Sequence, residues 1–150
     1  MKLTPNFNLN EFTSSNIGER VGVKNTPSIR QIGNLTYLAE QLEKIRSLLR
    51  KPITISSGFR NPELNRLVGG SETSAHLEGL AADFTCPGYG GPKTICTLLL
   101  PSVGVLKIDQ LVYEGTWVHV GFKPRGEVPR GETLTKHFVD GKVFYTTGIA

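Results

Sequence analysis

Three residues of this 150-residue chain are of types that bind divalent metal ions: His76, Asp83 and His119. His76 and Asp83 lie seven positions apart in the stretch SAHLEGLAAD, and His119 lies in WVHVGF. A catalytic zinc site takes three nitrogen or oxygen ligands from the protein and keeps a fourth position open. The residue types alone do not establish such a site, because a single histidine is more often structural. The elements that would position these side chains therefore matter.

The two short segments around His119 are predicted to form a β-hairpin. DQLVYE and WVHVGF are separated by Gly115-Thr116, and glycine at the first central position favours a two-residue type II′ turn. This turn sets Glu114 opposite Trp117, and strand alternation then places Glu114, Trp117 and His119 on one face. The opposite face is apolar and fits the core; it consists of Leu111, Tyr113, Val118, Val120 and Phe122.

The segments before the hairpin are predicted to bring His76 towards Asp83. KPITISSGF predicts a strand that runs into a loop, and LAADFTC predicts a second strand that contains Asp83. His76 is expected in the loop between them, where Gly79 gives the backbone its freedom to turn. The rest of the chain is predicted to be scaffold: apolar residues recur at steps of three or four over 28–49, which indicates one long amphipathic helix.

The order of the predicted elements indicates an α+β fold, a single compact domain with a small antiparallel sheet flanked by helices. NLNEFTSSNIGERVG predicts one or two short helical turns, capped by Asn10 or Ser14 and ended by Gly22. Near the end of the chain, VDGKV predicts the turn of a C-terminal hairpin over about residues 133–147. One domain is expected to span residues 1–150.

Composition limits the classes of function. The net charge is +4, but no run of Lys or Arg exceeds two, so a nucleic-acid partner is not expected. Diffuse positive charge suits either approach to a polyanionic surface such as a bacterial envelope or simple solubility. No secretory signal or membrane-spanning segment is visible, so the protein is expected in the cytosol. Cys86 and Cys96 are expected to be buried free thiols.

Three stretches carry a resemblance to a known family. SAHLEGLAAD fits, at every defined position, the Ser-x-His-x-x-Gly-x-Ala-x-Asp signature of zinc peptidases that include D-Ala-D-Ala carboxypeptidases, D-Ala-D-Ala dipeptidases and phage L-alanyl-D-glutamate endolysins. ITISSGFRNPELN and WVHVGF resemble two further segments of this family, peptidase M15. The likeness spans about residues 6–122 and is closest to a branch common in bacteriophages. It implies a fold similar to that of the D-Ala-D-Ala peptidases and of the Hedgehog signalling domain.

The resemblance implies roles for five residues. His76, Asp83 and His119 match the ligands of one catalytic Zn²⁺ ion. Arg60 matches an arginine that helps to hold the peptide substrate, and a guanidinium suits a carboxylate; the alternative is a structural pair with an acidic loop residue. Ser74 matches the signature serine, either a hydrogen-bond partner of the substrate backbone or a turn former.

The sequence position of the general base differs from that in part of the family. Many relatives carry Glu or Asp three residues before the last zinc histidine, but here that position is Thr116, which cannot act as a base. The hairpin register instead places Glu114 on the face of His119, so Glu114 is predicted to be the base. Trp117 shares this face and is predicted either to form a wall of the substrate cleft or to pack as an ordinary aromatic.

The leading hypothesis is a zinc peptidase that hydrolyses peptide bonds in the stems or crosslinks of bacterial peptidoglycan, a phage or prophage lysis enzyme. We expect it to be a monomer that stays in the host cytoplasm until it is released to the periplasm or cell wall. The alternative from another class is a non-catalytic virion or wall-binding module built on the same fold. The bond that is cut does not follow from the sequence.

Overall fold

The computed structural model describes residues 1–150 as one domain of helices and strands. Five α-helices cover Leu9–Thr13 (α1), Asn16–Val21 (α2), Ile29–Leu49 (α3), Pro62–Leu67 (α4) and Pro92–Leu99 (α5). Eight strands cover Lys2–Thr4 (β1), Phe7–Asn8 (β2), Thr54–Ser57 (β3), Ala81–Thr85 (β4), Gln110–Tyr113 (β5), Val118–Gly121 (β6), Glu132–Val139 (β7) and Lys142–Thr147 (β8). Two 3₁₀ turns cover Ala75–Glu78 and Leu100–Ser102.

The strands form two sheets. β1 and β2 make a small antiparallel pair, and the other six strands follow the order β3-β4-β6-β5-β7-β8. The predicted α+β class is confirmed. The first four strands in this spatial order, β3, β4, β6 and β5, are each antiparallel to their neighbours. The large sheet is nevertheless mixed, because β7 lies parallel to β5. β6 ends beside the start of β5, where Gly121 faces Gln110, and β7 begins at this same end, where Glu132 lies beside Gln110. β7 therefore runs in the same direction as β5.

The long helix α3 forms as predicted. Ser28 caps it by accepting from the Gln31 backbone N–H at 3.2 Å, and the Gln31 side chain accepts from the Ser28 N–H at 2.8 Å. This reciprocal capping box satisfies two backbone donors that a helix start otherwise leaves free. The buried stripe of α3 joins one hydrophobic core with residues of α5 and of β4, β5 and β6. Its apolar members are Leu35, Leu38, Ala39, Leu42, Ile45 and Leu49.

The N-terminal caps lie at different residues from those predicted. α1 begins after Asn8 and α2 after Ser15, rather than after Asn10 or Ser14. Asn and Ser, both good N-cap residues, occur at several neighbouring positions, so the sequence does not single out one helix start. The observed start of α1 goes with full burial of the Phe12 side chain. The left-handed glycine that ends α2 is Gly22, as predicted.

The hairpin register was predicted correctly. Val112 faces His119 and Tyr113 faces Val118, and the turn between them has Gly115 at φ +85°. The C-terminal hairpin also forms: β7 and β8 pair through Val139 and Lys142. Its turn residues Asp140 and Gly141 both have positive φ, the requirement of a type I′ turn.

Two further expectations concern the whole chain. Cys86 and Cys96 are buried and free, as predicted. No helix combines the length and the hydropathy that crossing a bilayer requires.

Candidate metal centre and active site

The pairing of β4 with β6 places Asp83 directly opposite His119. His119 Nδ1 lies 2.8 Å from Asp83 Oδ1. Both side chains point away from the core, because their neighbours on the strands occupy the other face. Those neighbours, Ala82, Phe84, Val118 and Val120, are fully buried. The same alternation that fills the core therefore presents the carboxylate and the imidazole together.

His76 reaches this pair from a 3₁₀ turn rather than from an irregular loop. Ser74 Oγ accepts the His76 backbone N–H at 3.2 Å, and Gly79 closes the turn with φ +75°. The His76 side chain is 2% exposed, and its Nδ1 lies 2.6 Å from the Gly58 carbonyl oxygen. A carbonyl only accepts, so Nδ1 carries the proton and Nε2 is the free nitrogen. Nε2 lies 3.4 Å from Asp83 Oδ1.

The three side chains fit a divalent metal ion. One ligand atom each from His76, Asp83 and His119 lies within 4.8 Å of the others. Bonds of about 2.0–2.1 Å in a tetrahedral site separate ligand atoms by roughly 3.4 Å, which the His76–Asp83 contact matches. Two imidazoles and one carboxylate are a donor set that zinc prefers.

The protonation states strengthen this fit. Burial lowers the pKa of His76, although its contacts with Asp83 act to raise it. Burial by itself would raise the pKa of Asp83, but its contacts with His119 and His76 hold that pKa well below the usual range. A neutral His76 thus presents a lone pair at Nε2 to an ionised carboxylate. Two acceptors that face each other in a buried place are suited to share a cation.

Glu114 lies beside His119 and lines the groove that contains the cluster. The residue follows β5, and its backbone N–H donates to the Trp117 carbonyl at 3.2 Å across the hairpin turn. Its Oε2 lies 3.8 Å from His119 Nδ1 and accepts the Trp117 Nε1–H at 3.0 Å. Its Oε1 lies 3.5 Å from Lys136 Nζ. The carboxylate is therefore held beside the His–Asp–His cluster, as the hairpin register predicted.

Arg60 enters the site without a carboxylate partner. Its backbone N–H donates to the His76 carbonyl at 3.0 Å, and its guanidinium donates to Ser74 Oγ at 3.2 Å. The alternative of a structural pair with an acidic loop residue does not form, and Nε is buried without a hydrogen-bond acceptor. Burial lowers the pKa of Arg60, while the charges of Asp83 and Glu114 act to raise it. The site thus holds a cation with unused donor capacity.

Ser74 and Trp117 both lie at the site and both have structural contacts. Ser74 caps the turn that carries His76 and accepts from Arg60, so it forms a turn as the second interpretation required. Trp117 is half-buried, and its ring N–H is occupied by Glu114. Each side chain also lines a groove of about 1330 Å³ that contains the cluster.

Other titratable residues have different partners. Glu78 pairs with Arg30 at 2.7 Å on the exposed side of the turn. His137 contacts Thr146 Oγ1 at 2.7 Å within the C-terminal hairpin.

Two features of the site were not identified from the sequence. The Gly58 carbonyl that orients His76 had a signal in the Ser-Gly-Phe-Arg segment, whereas Lys136 had none.

The comparisons with known proteins agree with this geometry. A family model described as Peptidase M15 matches residues 5–121. None of the curated proteins compared with the chain matches it. The family match includes the His–Asp–His cluster, Glu114, Arg60 and Ser74, and it indicates peptidase activity. Because the match covers well over half of the 150 residues, the chain belongs to the Peptidase M15 family.

Proposed function

We propose that the protein is a zinc peptidase that hydrolyses peptide bonds in the stems or crosslinks of bacterial peptidoglycan. One observation carries the proposal: in a chain of this peptidase family, the Glu114 carboxylate lies 3.8 Å from the histidine His119 of a His–Asp–His cluster. A cluster alone could serve structure. A cluster with an adjacent carboxylate and an open groove is suited to hydrolysis.

In this proposal His76, Asp83 and His119 would hold the zinc ion. When bound, zinc supplies a Lewis acid for the scissile carbonyl and for the attacking water. The Gly58 carbonyl fixes the ring of His76, as is usual for histidines that bind metal. Asp83 adds a carboxylate, and so a negative charge, to the two imidazole ligands.

Glu114 is the general base in this proposal. Its Oε2 faces the metal cluster and takes the proton of the attacking water, then returns it to the departing amine. Proton transfer of this kind contributes roughly 10²- to 10⁴-fold to the rate. No covalent intermediate is needed, because the cysteines are buried and Ser74 Oγ is used by the turn and by Arg60.

Arg60, Ser74 and Trp117 are proposed to bind the substrate. The unpaired donor of Arg60 suits a carboxylate or carbonyl of a peptide, since a guanidinium offers several hydrogen bonds in one plane. Ser74 places its hydroxyl beside Arg60, and Trp117 forms the wall of the groove next to Glu114. The net charge of +4 favours approach to an anionic cell wall.

The biological setting is also a proposal. The resemblance to enzymes of bacteriophages supports a lysis enzyme of a phage or prophage, which acts as a monomer and stays in the host cytoplasm until it is released to the periplasm or cell wall. Expression in a bacterial host with and without a membrane-permeabilising agent tests this. Lysis that depends on the agent supports the setting, and lysis without it contradicts it.

The enzymatic proposal is tested with purified peptidoglycan. The wild type, loaded with zinc, is expected to release peptide fragments whose new termini, read by mass spectrometry, identify the cleaved bond. Glu114→Gln is expected to retain one zinc ion per chain and to lose activity by about 10²-fold or more. Glu78→Gln is the matched control, since its carboxylate pairs with Arg30 and should be dispensable.

The outcomes separate the hypotheses. Equal hydrolysis by wild type and Glu114→Gln would reject Glu114 as the base. Zinc binding without hydrolysis by any form would favour the non-catalytic wall-binding module. A protein that binds no stoichiometric metal after incubation with zinc would overturn the proposal as a whole.

A further inference from the structure

The C-terminal hairpin lies outside the segment that the family model matches, yet it reaches the site. The family match ends at residue 121, and β7 begins at Glu132. β7 runs parallel to β5 with Tyr113 beside Thr135. Glu114 directly follows β5 and Lys136 is the next residue of β7, so the register brings these two side chains together. Lys136 Nζ lies 3.5 Å from Glu114 Oε1.

The register of β7 is fixed by polar contacts at its start. The guanidinium of Arg130 pairs with Asp109 at 2.8 Å, and the Arg130 backbone N–H donates to Asp109 Oδ1 at 2.7 Å. Further along, the Gln110 side chain donates to Glu132 at 2.8 Å. A shift of one residue would break these contacts and turn Lys136 to the other face of the sheet.

Lys136 and Trp117 hold different oxygens of the same carboxylate. Trp117 Nε1–H donates to Oε2 of Glu114, the oxygen that faces His119, whereas Lys136 contacts Oε1. Lys136 Nζ also lies 6.0 Å from the centre of the Trp117 ring. The Glu114 side chain is 12% exposed and that of Lys136 is 29% exposed, so solvent screens this pair less than a surface pair.

We propose that Lys136 is a positioning residue that holds the Glu114 carboxylate with one oxygen towards the metal cluster, and that the C-terminal hairpin is for this reason part of the active site. The inference rests on the proposed function in one respect, the role of Glu114 as base. The contact among Lys136, Glu114 and Trp117 does not depend on that role.

Kinetics provide the first test. In the zinc-loaded protein, Lys136→Met is expected to lower kcat about tenfold with KM unchanged, less than the roughly 100-fold that a displacement of 1 Å can cost. Lys136→Arg is expected to recover most of kcat, because a guanidinium also pairs with a carboxylate. Lys142→Met, on the exposed strand β8, is the matched control and should match the wild type.

Fluorescence provides a test that needs neither metal nor substrate. Trp117 is the single tryptophan of the chain, so the tryptophan emission reports on the surroundings of this one side chain, which include Glu114 and Lys136. Lys136→Met is expected to change the emission of the folded, metal-free protein, and Lys142→Met is expected to leave it unchanged. Circular dichroism confirms folding, and Lys136→Gln replaces the methionine variant should that one misfold.

The outcomes are distinct. A fall in kcat with restored activity in Lys136→Arg and a change in emission supports the inference. A rise in KM alone would make Lys136 a substrate-binding residue and overturn positioning, as would wild-type kcat and emission in Lys136→Met. Should the wild type not hydrolyse peptidoglycan, the proposed function and the catalytic part of the inference fail together, while an emission change would still support the contact.

Discussion

Replacement of Gly58 even by alanine is predicted to destabilise the protein. A Cβ atom built on Gly58 would lie 2.7 Å from the Phe12 Cα atom and 2.7 Å from the Phe12 carbonyl oxygen. Attractive contacts between such atoms need about 3.5–4.0 Å, so one backbone must move by roughly 1 Å. Gly58 does not have a positive φ, and the conflict is therefore steric and not conformational.

The displacement should affect both stability and metal binding. Overpacking of this kind costs about 1–3 kcal/mol, which lowers the Tm of a chain of this size by about 2–12 °C. The Gly58 carbonyl accepts from His76 Nδ1 at 2.6 Å and moves with its backbone. Loss of such a partner to a metal-binding histidine weakens metal affinity by about 10- to 100-fold.

The assay compares Gly58→Ala with Gly33→Ala. Gly33 lies on the exposed side of α3, and a Cβ atom added there would meet no other atom within 4 Å, so alanine should stabilise the protein by about 0.5–1 kcal/mol. Thermal unfolding gives the Tm, and competition with a chromogenic chelator gives the zinc affinity. A wild-type Tm for Gly58→Ala would refute the steric argument. A lower Tm with unchanged zinc affinity would refute the role of the carbonyl in orienting His76.

Three further predictions concern stability and reactivity. Burial raises the pKa of Cys96 to about 12, and the side chains of both Cys96 and Cys86 are inaccessible to solvent. Neither thiol should therefore react with a chromogenic disulfide until the protein is unfolded in guanidinium. Burial by itself would raise the pKa of Asp109, but Arg130 holds it below the usual range. The pair therefore stabilises the fold above about pH 4, and the deficit of Asp109→Asn in urea unfolding should shrink as the pH falls below that value. Leu42→Ala should lower the unfolding free energy by about 2–5 kcal/mol in the same assay.

The parts of the site that follow from local patterns were predictable. Only one register of the hairpin buries Val118 and Val120, and that register fixes the face of His119 and Glu114. The approach of His76 to Asp83 was inferred from a signature in a single stretch of ten residues, and the structure brings the two within 3.4 Å.

The parts that depend on distant pairing were not predictable. The parallel pairing of β5 with β7 joins residues about 22 positions apart, and the β7 sequence ETLTKHFV mixes polar and apolar residues on both faces, so it shows no clean alternation. Its register depends on the Asp109–Arg130 pair, and neither residue stands out in the sequence. Lys136 therefore became visible only beside Glu114 in the folded chain.

The strands that carry the metal ligands are held more rigidly than the hairpin that supports the base. Asp83 and His119 lie on paired strands whose neighbours Phe84 and Val118 are fully buried, so these ligands cannot move without disturbing the core. The Glu114 carboxylate instead depends partly on a hairpin whose tip is open to solvent, with Phe138 72% exposed. Elements with few buried contacts open at low cost in free energy. Changes that loosen the hairpin should therefore slow turnover while zinc affinity stays constant, whereas changes in the core should reduce both.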